Sequence, residues 1–150
     1  MVYAIIAGGV FLSDLILKRY MDKKYARKVR HPRLGGRIVL EKYYNEGAAL
    51  NFMVKKPKLL RITHTVILVV VGIFSYFLMR LSGHALEKTG VALLLGGGLN
   101  NLYDHYTKGH VIDYFHLNFG PKWLRAIVFN ISDFCIFIGA LLAVAGSEVS

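Results

Sequence analysis

Acidic residues are scarce in this chain of 150: nine Asp and Glu stand against nineteen Lys and Arg. Cysteine is scarcer still. Cys135 is alone, which excludes an internal disulfide and a cysteine metal cluster and leaves it a packing role. Repeats and low-complexity tracts are absent. Charged residues of both signs make up only 19% of a chain that is 55% hydrophobic, with a mean hydropathy of +0.44, and that balance excludes an ordinary soluble domain. The formal charge of +10 does not point to nucleic acid, because the basic residues crowd into one segment between apolar runs. Anionic lipid headgroups are the nearer partner there.

What is present is a set of long apolar runs. Four approach the roughly 20 residues needed to cross a bilayer, at about 2 to 17, 62 to 79, 89 to 103 and 123 to 146. The first, VYAIIAGGVFLSDLIL, has no basic residues before it and carries Asp14 inside it, so it reads as a retained span rather than a signal peptide. Four spans put both termini on one side and the first and third connections on the other, where Asp14, Asp104, Asp113 and Asp133 gather near helix ends. The expected fold is an all-α membrane protein of one domain, with four transmembrane helices and a small β-rich cap between helices 1 and 2, at about 18 to 61. Within that cap, RIVLEKYY alternates, and a glycine turn followed by ALNFMV suggests a partner strand. The cap holds fourteen of the nineteen Lys and Arg. The positive-inside rule alone would place it in the cytoplasm.

The strongest chemical signal is a carboxylate where none is cheap. Asp133 lies in the last apolar run, and a charge in hydrocarbon costs about 2.5 to 3.5 kcal/mol even on lenient insertion scales. With Asp113 it forms a candidate pair: two close carboxylates cannot both ionise comfortably, so one holds a proton while the other accepts one, the arrangement that activates water for amide hydrolysis. A structural carboxylate hydrogen-bonded near a helix end fits the same spacing. Asn130 precedes Asp133 by three residues and Asn101 precedes Asp104 by three, so each amide is expected to share a helical face with its aspartate and to orient it, or else to join helices.

Asp14 and Lys18 stand four apart, which suits a helix-end ion pair with Lys18 reaching to the interface. In NEGAALNF, Gly47, Ala48 and Ala49 let another backbone approach closely and Asn45 can bond it; a tight turn reads the same way. His110, Asp113 and His116, with His105 nearby, offer a rival reading as zinc ligands in a metal-dependent membrane hydrolase. Steps of three would spread those ligands over about 120 degrees of a helix, which is no familiar zinc spacing. Tyr103, Tyr106, Tyr114 and Trp123 read as interfacial anchors.

Taken in order, these motifs resemble one family. They are Asp14 with Lys18; Asn45 with Gly47, Ala48 and Ala49; Gly96, Gly97, Leu99, Asn101 and Asp104; Val111 and Asp113; and Phe129, Asn130 and Asp133. The set resembles the lipoprotein signal peptidases, also called signal peptidase II, which are four-helix aspartyl proteases of bacterial cytoplasmic membranes. The resemblance implies a multi-pass enzyme that cuts prolipoproteins just before a diacylglyceryl-modified cysteine, with no metal or other cofactor. It puts the dyad on Asp113 and Asp133 and supporting or substrate-binding roles on Asp14, Lys18, Asn45, Gly47, Ala48, Ala49, Asn101, Asp104 and Asn130. It also makes the first connection an extracytoplasmic cradle, and this outward orientation is preferred to the one from charge counting, since the basic segment folds as a surface unit that can lie on anionic headgroups. The chain departs from the family pattern at Leu15, Asn100, His105 and Ser132, where Gln, Gly, Arg and Ala are usual. His105 in place of Arg is expected to weaken the support of a neighbouring carboxylate. A homologue that binds lipidated peptides without cutting them is the non-enzymatic alternative.

Overall fold

A computed structural model of the chain describes residues 1–47 and 53–148. In order these form α1 (Val2–Lys24), β1 (Arg30–Arg33), a short 3-10 turn (Leu34–Gly36), β2 (Ile38–Asn45), α2 (Pro57–Leu78), α3 (Ala85–Thr107), β3 (Val111–Leu117), α4 (Lys122–Arg125) and α5 (Ile131–Ser147). The protein is therefore mostly helical, with one small antiparallel sheet in the order β1-β2-β3. Each of the four apolar runs overlaps a long helix, but the ends differ from those the hydropathy suggests. α1 and α3 run well past their apolar stretches: Lys18 of α1 and Glu87, Lys88 and Asp104 of α3 are absorbed inside the bundle, while Arg19, Lys23 and Lys24 of the last turns of α1 stay exposed. α5 begins only at Ile131, with residues 126–130 standing between it and the single turn of α4.

α3 is the central helix, packed against α5, α1 and α2. Its glycines permit that closeness: a Cβ on Gly90 would lie 2.5 Å from the Gly139 carbonyl oxygen, one on Gly97 2.6 Å from that of Ser132, and one on Gly96 2.5 Å from that of Ala7. Backbones that meet through small residues are how helices associate where no water is available to drive apolar burial. α2 turns apolar side chains outward, Val66, Val69, Val70, Ile73, Phe74 and Phe77 among them. Among the described residues it is the one helix both long and apolar enough to cross a membrane by length and composition; the apolar α5 is shorter. The interior, by contrast, holds Asp14, Lys18, Asn100, Asp104, Asn130 and Ser132 with essentially no exposure.

The sheet differs from the expected cap. Among the described residues the RIVLEKYY strand pairs with β1 and with β3, from the connection after α3; most of ALNFMV, the expected partner, lies outside the described residues. The β3 pairing sets Tyr43 opposite Asp113 and Asn45 opposite Val111, beyond a register shift between Leu40 and Tyr43. Residue 129 then joins the far edge of β3: Phe129 N donates to Phe115 O at 2.7 Å and Tyr114 N to Phe129 O at 2.9 Å. This short bridge brings the start of α5 up against β3.

Candidate active site

Asp113 and Asp133 come together where β3 meets the first turn of α5. Asp113 is held by strand pairing. Asp133 is held by a capping box: Asn130 is the N-cap, its Oδ1 accepts from Asp133 N at 2.9 Å, and its own N donates to Asp133 Oδ2 at 3.0 Å. Asn130 and Asp133 thus do not share a helical face, as their spacing suggested; Asn130 precedes the helix and caps it. The cap places Asp133 at the positive end of the α5 dipole, which favours its carboxylate.

Asn130 also ties the two carboxyls to each other. Its Nδ2 donates to Asp113 Oδ1 at 2.7 Å and lies 3.3 Å from Asn101 Oδ1. The remaining oxygens are taken as well: Asn45 Nδ2 donates to Asp113 Oδ2 at 3.0 Å, and Asn101 Nδ2 to Asp133 Oδ1 at 3.0 Å. All four carboxyl oxygens therefore accept a bond from an amide, which fixes both groups without neutralising them. Burial and then the Asp133 charge push the Asp113 carboxyl up to about 8, against the opposing bonds from Asn45 and Asn130. A carboxyl so placed keeps a proton at neutral pH. Both aspartates open onto a cavity of about 400 Å³, walled by Arg30, Glu41, Tyr43, His116, Ile127 and Phe129. A second, mostly apolar pocket of about 300 Å³, with Trp123, Phe134 and Phe137, shares Ile127, Phe129 and Asp133 with the first.

Beneath the pair lies a charged cluster. Lys18 does not reach to an interface; it is completely buried, 3.2 Å from Asp14 Oδ2 and 3.1 Å from Asp104 Oδ2. It donates to Asn100 Oδ1 at 2.5 Å and Asn101 Oδ1 at 2.7 Å. By holding the carbonyl end of Asn101, Lys18 turns the amide NH2 toward Asp133. The positively charged Lys18 thus sits one side chain removed from the pair.

Two of the departures from the family pattern, Ser132 and Asn100, enter the same cluster. Ser132 Oγ donates to Asp14 Oδ2 at 2.5 Å, and Asn100 accepts from Lys18 while its Nδ2 donates to Phe11 O at 2.7 Å. His105 faces His64 edge-on, and Asp104 takes its second cation from Lys108, with 2.6 Å between Nζ and Oδ1. The carboxylate beside His105 thus has Lys108 as a cationic neighbour.

Sequence reasoning missed Tyr114. It is no interfacial anchor but a buried link: its OH donates to Asp14 Oδ1 at 2.7 Å and accepts from Ile131 N at 3.0 Å. One hydroxyl thereby joins β3, α1 and the start of α5. The available signal was alternation, since in a strand Tyr114 must face opposite to Asp113. Gly47 N donates to Asn45 Oδ1 at 3.1 Å, so the glycine steadies the amide that holds Asp113. Ala48 and Ala49 lie outside the described residues. The imidazoles of the zinc reading have separate partners: His110 packs on the Tyr44 ring with centroids 4.1 Å apart, and His116 bonds Glu41. Those two side chains belong to β3 and its approach, not to a helix.

Comparison with known proteins follows the same lines. The family described as "Signal peptidase (SPase) II" matches residues 6–147. A lipoprotein signal peptidase of Aquifex aeolicus is 35% identical over 95% of this chain and 83% of its own, and one of Paraburkholderia phytofirmans is 35% identical over 90% and 77%. One of Lactiplantibacillus plantarum is 27% identical over 97% and 93%. Among solved structures, a protein described as a bacterial membrane enzyme superposes with a TM-score of 0.86 over 98% of this chain and 87% of the other, at 22% identity, which is a likeness of fold.

Proposed function

The chain belongs to the signal peptidase II family, and from that premise we propose that it is a bacterial membrane endopeptidase that removes signal peptides from prolipoproteins with Asp113 and Asp133 as its catalytic pair. The observation that carries this reading is the pair itself: two carboxyls bridged by Asn130, facing one cavity, with every oxygen held by an amide. Metal is not invoked. One proton is shared between the two groups. The ionised member takes a proton from a water molecule as its oxygen attacks the scissile carbonyl carbon, while the protonated member donates to the carbonyl oxygen. When the tetrahedral intermediate collapses, the carbon–nitrogen bond breaks, the nitrogen receives the proton held by one carboxyl, and the other carboxyl takes a proton from a hydroxyl of the intermediate, which restores the shared proton. A carboxyl-terminated signal peptide and a mature chain with a free amino group leave. Because the two groups titrate together, the roles belong to the pair rather than to either residue.

The scissile bond is the one before a diacylglyceryl-modified cysteine. The apolar pocket that opens on Asp133 beside the polar cavity is suited to a substrate whose reacting residue carries lipid. α1, α2, α3 and α5 cross the membrane, with the sheet and the site at the extracytoplasmic surface. The outward apolar face of α2 and the polar interior support this, being the reverse of a soluble protein's arrangement. The basic cap then rests on anionic headgroups. Purified protein in detergent, given a prolipoprotein peptide with and without the diacylglyceryl group, is expected to cut the modified form once, before the cysteine. Equal cutting of the unmodified peptide, or cutting elsewhere, overturns the reading.

The pH dependence follows from Asp113. Its carboxyl is raised, so the proton the pair needs is present at neutral pH and leaves as pH climbs through about 8. The rate is expected to be flat from neutral pH to that point and then to fall about tenfold per pH unit, the slope of a single lost proton. A pH–rate profile that keeps rising to pH 9 would contradict a proton-sharing pair.

A further inference from the structure

The wall of the active cavity away from the helices carries a polar triad that the hydrolysis does not use. Glu41, on β2, is buried, and its Oε2 accepts from His116 Nε2 at 2.7 Å and from Arg30 Nε at 2.9 Å. All three line the cavity that holds Asp113 and Asp133. The sheet builds the group: Arg30 of β1 stands directly opposite Glu41, and the irregularity in β2 between Leu40 and Tyr43 contains Glu41, which bonds His116 of β3. Although burial alone raises the Glu41 carboxyl, its bonds to His116 and Arg30 hold it below its ordinary value, so it stays ionised beside the guanidinium.

The geometry leaves Arg30 half committed. Only its Nε is used, its side chain remains 70% exposed, and among the described residues its two Nη groups have no acceptor. A guanidinium pinned through Nε by a buried carboxylate presents those N–H donors in a fixed plane, ready to bond. Its charge is already balanced by Glu41, so a neutral carbonyl oxygen suits it better than a second anion. With the site at the extracytoplasmic surface, as proposed above, the sheet lies on the side where a substrate chain leaves the membrane; an apolar signal peptide would then lie among the helices and the mature portion would pass this wall.

We propose that Arg30, held in place by Glu41 and His116, binds backbone carbonyls of the mature portion of the substrate a few residues beyond the scissile bond. This rests on the signal peptidase reading of the same cavity. Arg30 is the binding residue, and Glu41 and His116 are positioning residues acting through it. The subsite makes cleavage efficiency depend on substrate length on the mature side.

Two lipidated peptides test it, one continuing several residues past the modified cysteine and one ending there as an amide. Arg30→Ala, a change at an exposed side chain, is expected to raise KM for the long peptide about ten- to a hundredfold, the loss of charge-assisted hydrogen bonds. The constants for the short peptide should change far less, and Glu41→Gln should give the same length-dependent pattern more weakly. Equal effects on both peptides, or no effect on either, overturn the subsite. Wild-type cutting of the short peptide reports the peptidase activity separately, so the two readings can fail independently.

Discussion

Lys18→Met lowers the unfolding free energy by about 3 to 5 kcal/mol, the usual consequence of removing one partner from a buried ion pair. The expectation turns on burial. A lysine whose ammonium reached the headgroups would give less than about 1 kcal/mol, and Lys18 is instead enclosed between Asp14 and Asp104 with no exposure. After the change Asp104 keeps Lys108 and Asp14 keeps the hydroxyls of Tyr114 and Ser132, but neither regains a buried cation. Turnover falls too, at temperatures where the fold survives, because Asn101 loses the bond that turns its NH2 toward Asp133. Adding Asp14→Asn to Lys18→Met should recover part of the stability, since it removes a carboxylate left without its partner. Denaturant unfolding in detergent, paired with a cleavage assay below the transition, measures both effects.

The larger effect on rate belongs to the pair. Asp113→Asn and Asp133→Asn are each expected to reduce cleavage at least about a thousandfold, the range for loss of a general acid or base. The double variant should be no worse than either single one, because groups that share one proton act as a unit. Substitution by Asn keeps the size of each side chain, so a folding defect does not explain the loss. At neutral pH stability should change little for Asp113→Asn: the fold no longer bears the cost of keeping a raised carboxyl, which offsets the bond lost where the new NH2 meets the amide of Asn45 or Asn130. A large loss of activity with little change in stability would distinguish a catalytic carboxyl from a structural one.

Much of this was legible in the residues. The four apolar runs and the ordered motifs are local patterns, and hydropathy and spacing report such patterns well. What hydropathy could not find were the helix ends. Lys18 and Asp104 look like boundaries when counted as charges, yet each finds its partners on another helix, so α1 and α3 continue past them. Asn130 looked like a helical neighbour of Asp133 because three-residue spacing suits both a shared face and a capping box; only the extended backbone at Asn130 separates the two. β3 was hidden for a different reason. Its pairing with β2 joins residues as far apart as Ile38 and Leu117, and HVIDYFHL gives little sign of its partner. Once it is a strand, Tyr114 turns inward to Asp14 and His116 to Glu41, and both acquire roles that an interfacial or metal-ligand reading cannot supply.

The most direct test is the cleavage of one diacylglyceryl-modified prolipoprotein peptide by wild type, Asp113→Asn and Asp133→Asn, followed by product mass with a metal chelator present throughout. The account predicts a single wild-type cut before the modified cysteine, undiminished by the chelator, and no detectable product from either variant. Cleavage by either variant at the wild-type rate, or wild-type cleavage that stops with the chelator and returns with zinc, would contradict it.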